Sequence, residues 1–262
     1  MPELPEVETI VRGLAPRLKG RRIVSVELLA KRIVHGKPAE VAGRKIRVVR
    51  RHGKFIVIEL EGETRPLGIH LGMTGKLLLD TGRGPYTRAV FTLDRGALRY
   101  DDVRQFGRIE WSEAFERRIG GLGPDPLSIE AAAFSELLRG RRAMVKPLLL
   151  NQRFLRGMGN IYTDESLFRA RIHPRAIAAR IGKARAASLY RAIQEVLAEA
   201  IDDGGSSVSD YLDADGREGS FQDSHRVYGR EGEPCTSCSA PIRRIVVGQR
   251  GTHFCPRCQR LT

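Results

Sequence analysis

Four cysteines set the firmest limit on how this chain can fold. All lie in the last 28 residues, as Cys235/Cys238 and Cys255/Cys258, two C-x2-C pairs with sixteen residues between them. Thiolates at this spacing suit a tetrahedral structural zinc site, and four sulfur ligands leave no open position for chemistry on the metal. Two disulfides are the alternative. The N-terminus carries Glu3, Glu6 and Glu8 where an export signal would be apolar, so a reducing compartment and a thiolate site are expected. Metal binding contributes about 10–16 kcal/mol in small zinc-finger peptides, so a module of this size is expected to need its ion to fold.

The opposite end of the chain carries a different chemistry. Removal of Met1 from Met1-Pro2-Glu3-Leu4-Pro5-Glu6-Val7-Glu8 leaves Pro2 with a free secondary amine. Such an amine attacks an aldehyde-like carbon and forms an iminium, an electron sink. The adjacent Glu3 carboxylate is suited to moving protons. A helix is expected to start here. Pro5 suits its first turn, Glu6 and Glu8 suit its positive end, and Val7, Ile10, Val11 and Leu14 share one face. The plainer reading is that the prolines only start the helix and the glutamates only complement its dipole.

Between these ends the pattern changes once. Residues 22–112 read mostly as short strands, among them Ile23–Leu28, Phe55–Leu60, Ala89–Leu93 and Ala97–Tyr100, the last two joined by Asp94-Arg95-Gly96. A helix followed by many strands predicts an α+β unit, a sheet sandwich with the helix against it. The breaker Gly120-Gly121-Leu122-Gly123-Pro124-Asp125-Pro126-Leu127 marks a boundary. Beyond it the period is helical: Leu189, Ile193, Val196, Leu197, Ala200 and Ile201 fall on one face of a helix over roughly 178–203. Residues 204–219 are polar and glycine-containing, and predict a long mobile loop.

The formal charge of +14 and the pI near 10.2 point to a polyanion as partner, nucleic acid before membrane. A generally basic proteome is the alternative. No apolar run reaches the roughly eighteen residues that a membrane span needs. Lys146 to Gln152, then Gly157-Met158-Gly159-Asn160, then Glu165 to Ala170 read as helix, glycine turn and helix. Such a turn offers N–H groups and a positive dipole end to a phosphate, or else only closes an ordinary helix hairpin.

Pro2-Glu3-Leu4-Pro5-Glu6, His70-Leu71-Gly72-Met73-Thr74-Gly75, Leu122 to Leu127, Gly159-Asn160-Ile161-Tyr162, Val227-Tyr228-Gly229-Arg230-Glu231-Gly232 and the four cysteines occur here in order. From Pro2 to about Arg260 the chain resembles the Fpg/Nei family, in its bacterial formamidopyrimidine-DNA glycosylase (MutM) branch. The resemblance implies an N-terminal helix and β-sandwich over residues 1–121, a linker at 122–129, and a helix–two-turn–helix domain at 130–224. It further implies that loop 204–219 caps the lesion and that a zinc-finger β-hairpin occupies 225–262.

The function it implies is base-excision repair of oxidised purines, chiefly 8-oxoguanine and formamidopyrimidines, in double-stranded DNA, by a monomer working at the nucleoid of a bacterial cytoplasm. The target base leaves the stack. Pro2 attacks C1′, and β- then δ-elimination cut both sides of the sugar. Glu3 serves as proton donor, Glu6 supports the site, Lys54 contacts phosphate and assists elimination, and Arg250 clamps the phosphates around the lesion. A free amine at a helix N-terminus starts from a reference pKa of about 7.7–8.0, and the dipole disfavours its protonated form.

Met73, Arg104 and Phe106 are implied to fill the void left by the flipped base and to hold the orphaned cytosine. Arg141, Lys146 and Asn160 match positions that contact DNA. Tyr86 stands near a place where the family often has His, and a tyrosine cannot carry that positive charge. Bottom-up alternatives remain at several of these positions. Lys54 suits a solvated turn, Met73 and Phe106 suit core packing, and Arg250 suits a basic hairpin that also holds Arg243 and Arg244. Two other functions compete: a relative acting on oxidised pyrimidines, in which Leu4 is usually Gly, and a non-catalytic binder of damaged DNA on the same scaffold.

Overall fold

The computed structural model describes residues 1–208 and 210–261. Helix α1 runs Leu4–Leu18, with Glu3 as N-cap and Pro5 in the first turn, where its missing N–H costs nothing. Leu4, Val7, Ile10, Leu14 and Leu18 are fully buried, each contributing about 1.5–3 kcal/mol by leaving water. Nine strands follow: β1 Ile23–Leu28, β2 Val34–Gly36, β3 Ile46–His52, β4 Phe55–Leu60, β5 Leu67–His70, β6 Gly75–Leu79, β7 Thr87–Leu93, β8 Ala97–Asp102 and β9 Arg108–Trp111.

They form two sheets, ordered β1-β7-β8-β6 and β2-β9-β5-β4-β3. Every pairing is antiparallel except β2 with β9. Side chains of both sheets and of α1 meet in one core that includes Ile56, Ile58, Ile69, Phe91, Leu98 and Tyr100. The period of two along β4 turns Val57 to the opposite face, where helix α2 (Glu113–Gly120) covers it with Phe115 and Ile119.

The remaining elements are helices α3 (Ala131–Arg139), α4 (Val145–Leu150), α5 (Asn160–Arg169) and α6 (Lys183–Asp202), then the hairpin β10 (Arg243–Val247) and β11 (Arg250–Phe254). The apolar face expected for α6 is the buried one: Leu189, Ile193, Val196, Leu197, Ala200 and Ile201 are all inside. Among the described residues no helix is long and apolar enough to cross a membrane.

Contacts divide the chain into two compact units, residues 1–121 with 201–222, and residues 122–200 with 223–262. The first cut falls within the Gly120–Leu127 breaker. The loop at 204–219 differs from its sequence expectation. It is irregular, yet it packs with the first unit rather than with the helices. Tyr211 and Ala214 enter the sandwich core, and the Leu79 N–H donates to the Ala214 carbonyl at 3.1 Å. The cysteine module shares the second unit with the helices, because Phe168 of α5 packs against Val227, Cys235, Ile242 and Cys255.

Candidate active site and nucleic-acid interface

In the first unit, the N-terminus is held by one carboxylate. Glu6 sits three residues into α1 and accepts the Glu3 N–H at 2.7 Å with one oxygen. Its other oxygen accepts the Ser206 N–H at 2.8 Å, and the Tyr211 hydroxyl donates to the Glu6 carbonyl at 3.3 Å. Gly205 has φ +88°, and a Cβ there would stand 3.0 Å from the Glu6 side chain, so the loop can approach this closely only with glycine. Pro2, Glu3 and Glu6 are all buried, whereas Met1 protrudes. While Met1 is present, the Pro2 nitrogen is an amide.

Glu6 therefore ties the start of α1 to the 205–211 loop, across 200 residues of sequence. The resemblance implies that this loop caps the lesion, a role its backbone amides could serve. Two of them are already engaged here: Ser206 with Glu6, and Ser207 with Gln222 at 2.8 Å. Ser209, part of the same expectation, lies outside the described residues.

Lys54 is buried in the β3–β4 turn, next to Gly53 with φ +63°. Arg51, three residues before it, pairs with Glu8 of α1 at 2.7 Å, which fixes this end of β3 against the second turn of the helix. His70 faces the same turn from β5, opposite Phe55 in register, with ring centroids 4.9 Å apart. Burial, then the positive charge of Lys54, push the His70 imidazole down to about 4. Its Nδ1 accepts the Gly72 N–H at 3.1 Å, so the neutral ring carries its proton on Nε2 and presents a donor. His70 lies within a motif but has no local signature of this role, because the Lys54 charge that acts on it belongs to a turn sixteen residues away.

Met73, Arg104 and Phe106 come together in the same unit, and core packing is not their role. Met73 is 40% exposed and Phe106 45%. The Arg104 guanidinium donates to the Met73 sulfur at 3.1 Å and lies 4.6 Å from the Phe106 ring centroid. A second guanidinium, Arg32, stands 5.5 Å from that centroid, a partner the sequence did not suggest. Tyr86 is exposed, with Arg88 at 6.0 Å from its ring.

In the second unit, Arg250 follows the two-residue turn Gly248-Gln249, whose φ values of +56° and +61° are those of a tight hairpin turn. The turn rests on α4: a Cβ on Gly248 would meet Pro147 at 2.7 Å. The Gly251 carbonyl, just past Arg250, accepts from Asn160 Nδ2 at 2.9 Å and from Lys146 Nζ at 3.1 Å. Arg141 and Arg250 are exposed.

Lys146, which the resemblance matches to a DNA contact, has a wholly buried side chain that donates to Asp164 Oδ1 at 2.7 Å, with Asp164 equally buried. Asp164 Oδ2 accepts the His253 N–H of β11 at 2.8 Å. The pair thus acts as a strut behind the hairpin that presents Arg250. The neighbouring Glu165 accepts the N–H groups of Arg226, Val227 and Tyr228, the last at 2.8 Å. Burial raises its pKa against the pull of those three amides. Neither acid was singled out from the sequence. The available sign was that Asp164 and Glu165 interrupt a helix whose residues from Ile161 to Phe168 are all buried.

The four cysteine sulfurs lie within 4.8 Å of one another, with Cys235–Cys258 at 3.9 Å and Cys238–Cys255 at 3.4 Å. A tetrahedron of sulfurs about 2.3 Å from a central zinc has edges near these separations, far longer than a disulfide bond. The donor set fits one structural zinc ion.

Known proteins match along the whole length. Residues 1–109 match the formamidopyrimidine-DNA glycosylase N-terminal domain, 122–211 its H2TH domain, and 232–261 the zinc finger found in FPG and IleRS. The formamidopyrimidine-DNA glycosylase of Solibacter usitatus is 58% identical over 265 residues, covering 99% of this chain and 100% of that protein. This chain belongs to the formamidopyrimidine-DNA glycosylase family. Among solved structures, a Lactococcus lactis FPG mutant in complex with Fapy-dG DNA is similar at a TM-score of 0.90 and 37% identity, covering 99% of this chain and all of that one. MutM in complex with DNA containing carbocyclic 8-oxo-G is similar at a TM-score of 0.89 and 37% identity, with the same coverage.

Proposed function

We propose that this member of the family is a bifunctional DNA glycosylase and AP lyase that excises oxidised purines such as 8-oxoguanine and Fapy-guanine through its N-terminal proline. The observation that carries the reading is the buried Pro2-Glu3 pair at the start of α1, where one oxygen of Glu6 accepts the Glu3 N–H and the other ties down the Ser206 N–H of the neighbouring loop. Once Met1 is removed, the Pro2 amine attacks C1′ of the flipped nucleotide and the base departs with a proton. The sugar ring then opens at the C1′–O4′ bond, O4′ taking a proton, and the iminium so formed acidifies the C2′ proton. Its loss expels the 3′ phosphate, a second elimination expels the 5′ phosphate, and water releases the enzyme. Glu3 moves the protons at the sugar and leaving base. Glu6 is a positioning residue, since both its oxygens serve the protein.

Lys54 supplies positive charge to a phosphate beside the lesion, and neutral His70 adds an uncharged donor next to it. Met73 and Phe106 wedge into the stack, and Arg104 reads the orphaned cytosine. Tyr86, Arg141, Asn160 and Arg250 hold the DNA backbone, Arg250 by the two-pronged geometry of its guanidinium. The zinc ion holds the hairpin that carries Arg250 and takes no part in bond breaking. Such work belongs at the chromosome of a bacterial cell.

Incubation with an 8-oxoguanine:cytosine duplex tests this reading. Release of the free base, together with a one-nucleotide gap bounded by phosphates at both ends, is expected. Tight binding with neither release nor nicking would leave a non-catalytic binder of damaged DNA.

A further inference from the structure

The loop carrying Met73 and the loop carrying Arg104 and Phe106 are held by one side chain. Asp102, the last residue of β8, is fully buried. One of its carboxylate oxygens accepts the Thr74 hydroxyl at 2.6 Å. The other accepts the Gly107 N–H at 2.8 Å and the Tyr100 hydroxyl at 3.3 Å. Thr74 is a relay, because its oxygen in turn accepts the Arg104 N–H at 3.0 Å. The Asp102 carbonyl also accepts from the Arg88 guanidinium at 2.9 Å.

The two loops are in backbone contact at this hub. Gly72 has φ +61°, and a Cβ on it would stand 2.5 Å from the Gly107 nitrogen. A Cβ on Gly107 would stand 1.7 Å from the Tyr100 hydroxyl oxygen. A slip of either loop therefore shifts Met73 against Phe106. The exposed tips have little packing of their own to resist it.

We propose that Asp102, acting through Thr74, is the positioning residue that sets the spacing of Met73, Arg104 and Phe106, and thereby the discrimination of the base opposite the lesion. This rests on the wedge role given to those three residues above. An ionised carboxylate only accepts hydrogen bonds, and every side-chain contact of the hub delivers a donor to it. An amide would turn an N–H2 toward one of those donors. Removal of the Thr74 hydroxyl would cut Arg104 from the hub while leaving the core volume intact. Misplacement by about 1 Å suffices to cost on the order of a hundredfold in a reaction that depends on alignment.

The test uses Thr74→Val and Asp102→Asn in the full, zinc-loaded chain, with Met73→Ala and Phe106→Ala in parallel. Single-turnover excision of 8-oxoguanine is measured opposite cytosine and opposite adenine. Nicking of a preformed abasic site in single-stranded DNA, which has no stack to wedge and no orphaned base, is measured alongside. Excision opposite cytosine should fall about tenfold or more in both hub variants, as expected for a lost buried hydrogen bond. The cytosine-to-adenine ratio should fall toward one, and single-strand nicking should stay near the wild-type rate. An unchanged ratio in the hub variants, with excision lowered in Met73→Ala and Phe106→Ala, overturns the proposal and leaves the wedge reading standing. Unimpaired excision in those two alanine variants overturns the wedge reading itself. Equal loss of excision and nicking would make Asp102 a stability residue and also overturn the proposal. Thr74→Val replaces one side chain with another of the same shape, so the outcome does not hang on whether Asp102→Asn folds.

Discussion

In the first unit the candidate site side chains are held by carboxylates that accept N–H and O–H groups, Glu6 at the N-terminus and Asp102 between the loops of Met73 and Phe106. In the second unit they are held by a buried ion pair, Lys146 with Asp164, and by a cluster of four cysteines. The carboxylates of the first unit sit against a large core shared by two sheets and a helix. The hairpin of the second rests on a small one, in which Phe168, Val227 and Ile242 pack around the cysteines. A site beside a large core tolerates the loss of one polar contact. A module with few apolar residues depends on its metal and its charge pairing, so the two units should fail differently.

Metal removal should part them most widely. Binding contributes about 10–16 kcal/mol in zinc-finger peptides, so chelation should unfold the hairpin and expose it to protease around Arg250. The chain has a single tryptophan, Trp111 in β9 of the first unit, and its emission should not move. A shift in Trp111 emission on chelation would mean that the first unit does not stand on its own core.

The next largest effect should come from the strut. Lys146→Met strands a buried Asp164 carboxylate and should cost about 3–5 kcal/mol in urea unfolding followed by circular dichroism. Lys146→Met combined with Asp164→Leu should recover most of that loss, since it leaves no unpaired charge. Failure of the double variant to recover would give Lys146 a role beyond pairing.

Acid should act through His70. Its folded pKa, near 4, lies below the unfolded value of about 6.5, so the unfolded chain takes up the proton first. Stability from this group is full above the unfolded pKa and is lost as pH falls from about 6.5 to 4, by on the order of 3 kcal/mol. Unfolding monitored by Trp111 should flatten with pH across that window in His70→Phe. The smallest effect should be that of Glu6→Gln, which exchanges one acceptor oxygen for a donor. A loss of about 1–3 kcal/mol is expected, with the Ser206 amide becoming faster in hydrogen exchange.

The legible parts of this molecule were those whose signal is local. The α1 face from Val7 to Leu14, the breaker at Gly120–Leu127, the apolar face of α6 and the paired cysteines all depend on residues within a few positions of one another. The ordered motifs added the outline of the site. What stayed hidden was the support behind it. Glu6 finds Ser206 across 200 residues, Lys146 finds Gly251 across 105, and Asp102 finds Thr74 across 28. Lys146 was matched by resemblance to a DNA contact, and nothing beside it in sequence points to its buried partner Asp164. Its place between Val145 and Pro147-Leu148-Leu149 was the one sign that it is buried.

The central claim is that the Pro2 nitrogen becomes the nucleophile when Met1 is gone. Borohydride trapping on an 8-oxoguanine:cytosine duplex tests it directly, comparing a chain that begins at Pro2 with one that retains Met1, both first assayed for DNA binding. A covalent protein–DNA adduct from the processed chain, and none from the Met1-bearing chain, is the predicted result. Equal adduct from both, or none from a processed chain that binds the duplex, would contradict the account.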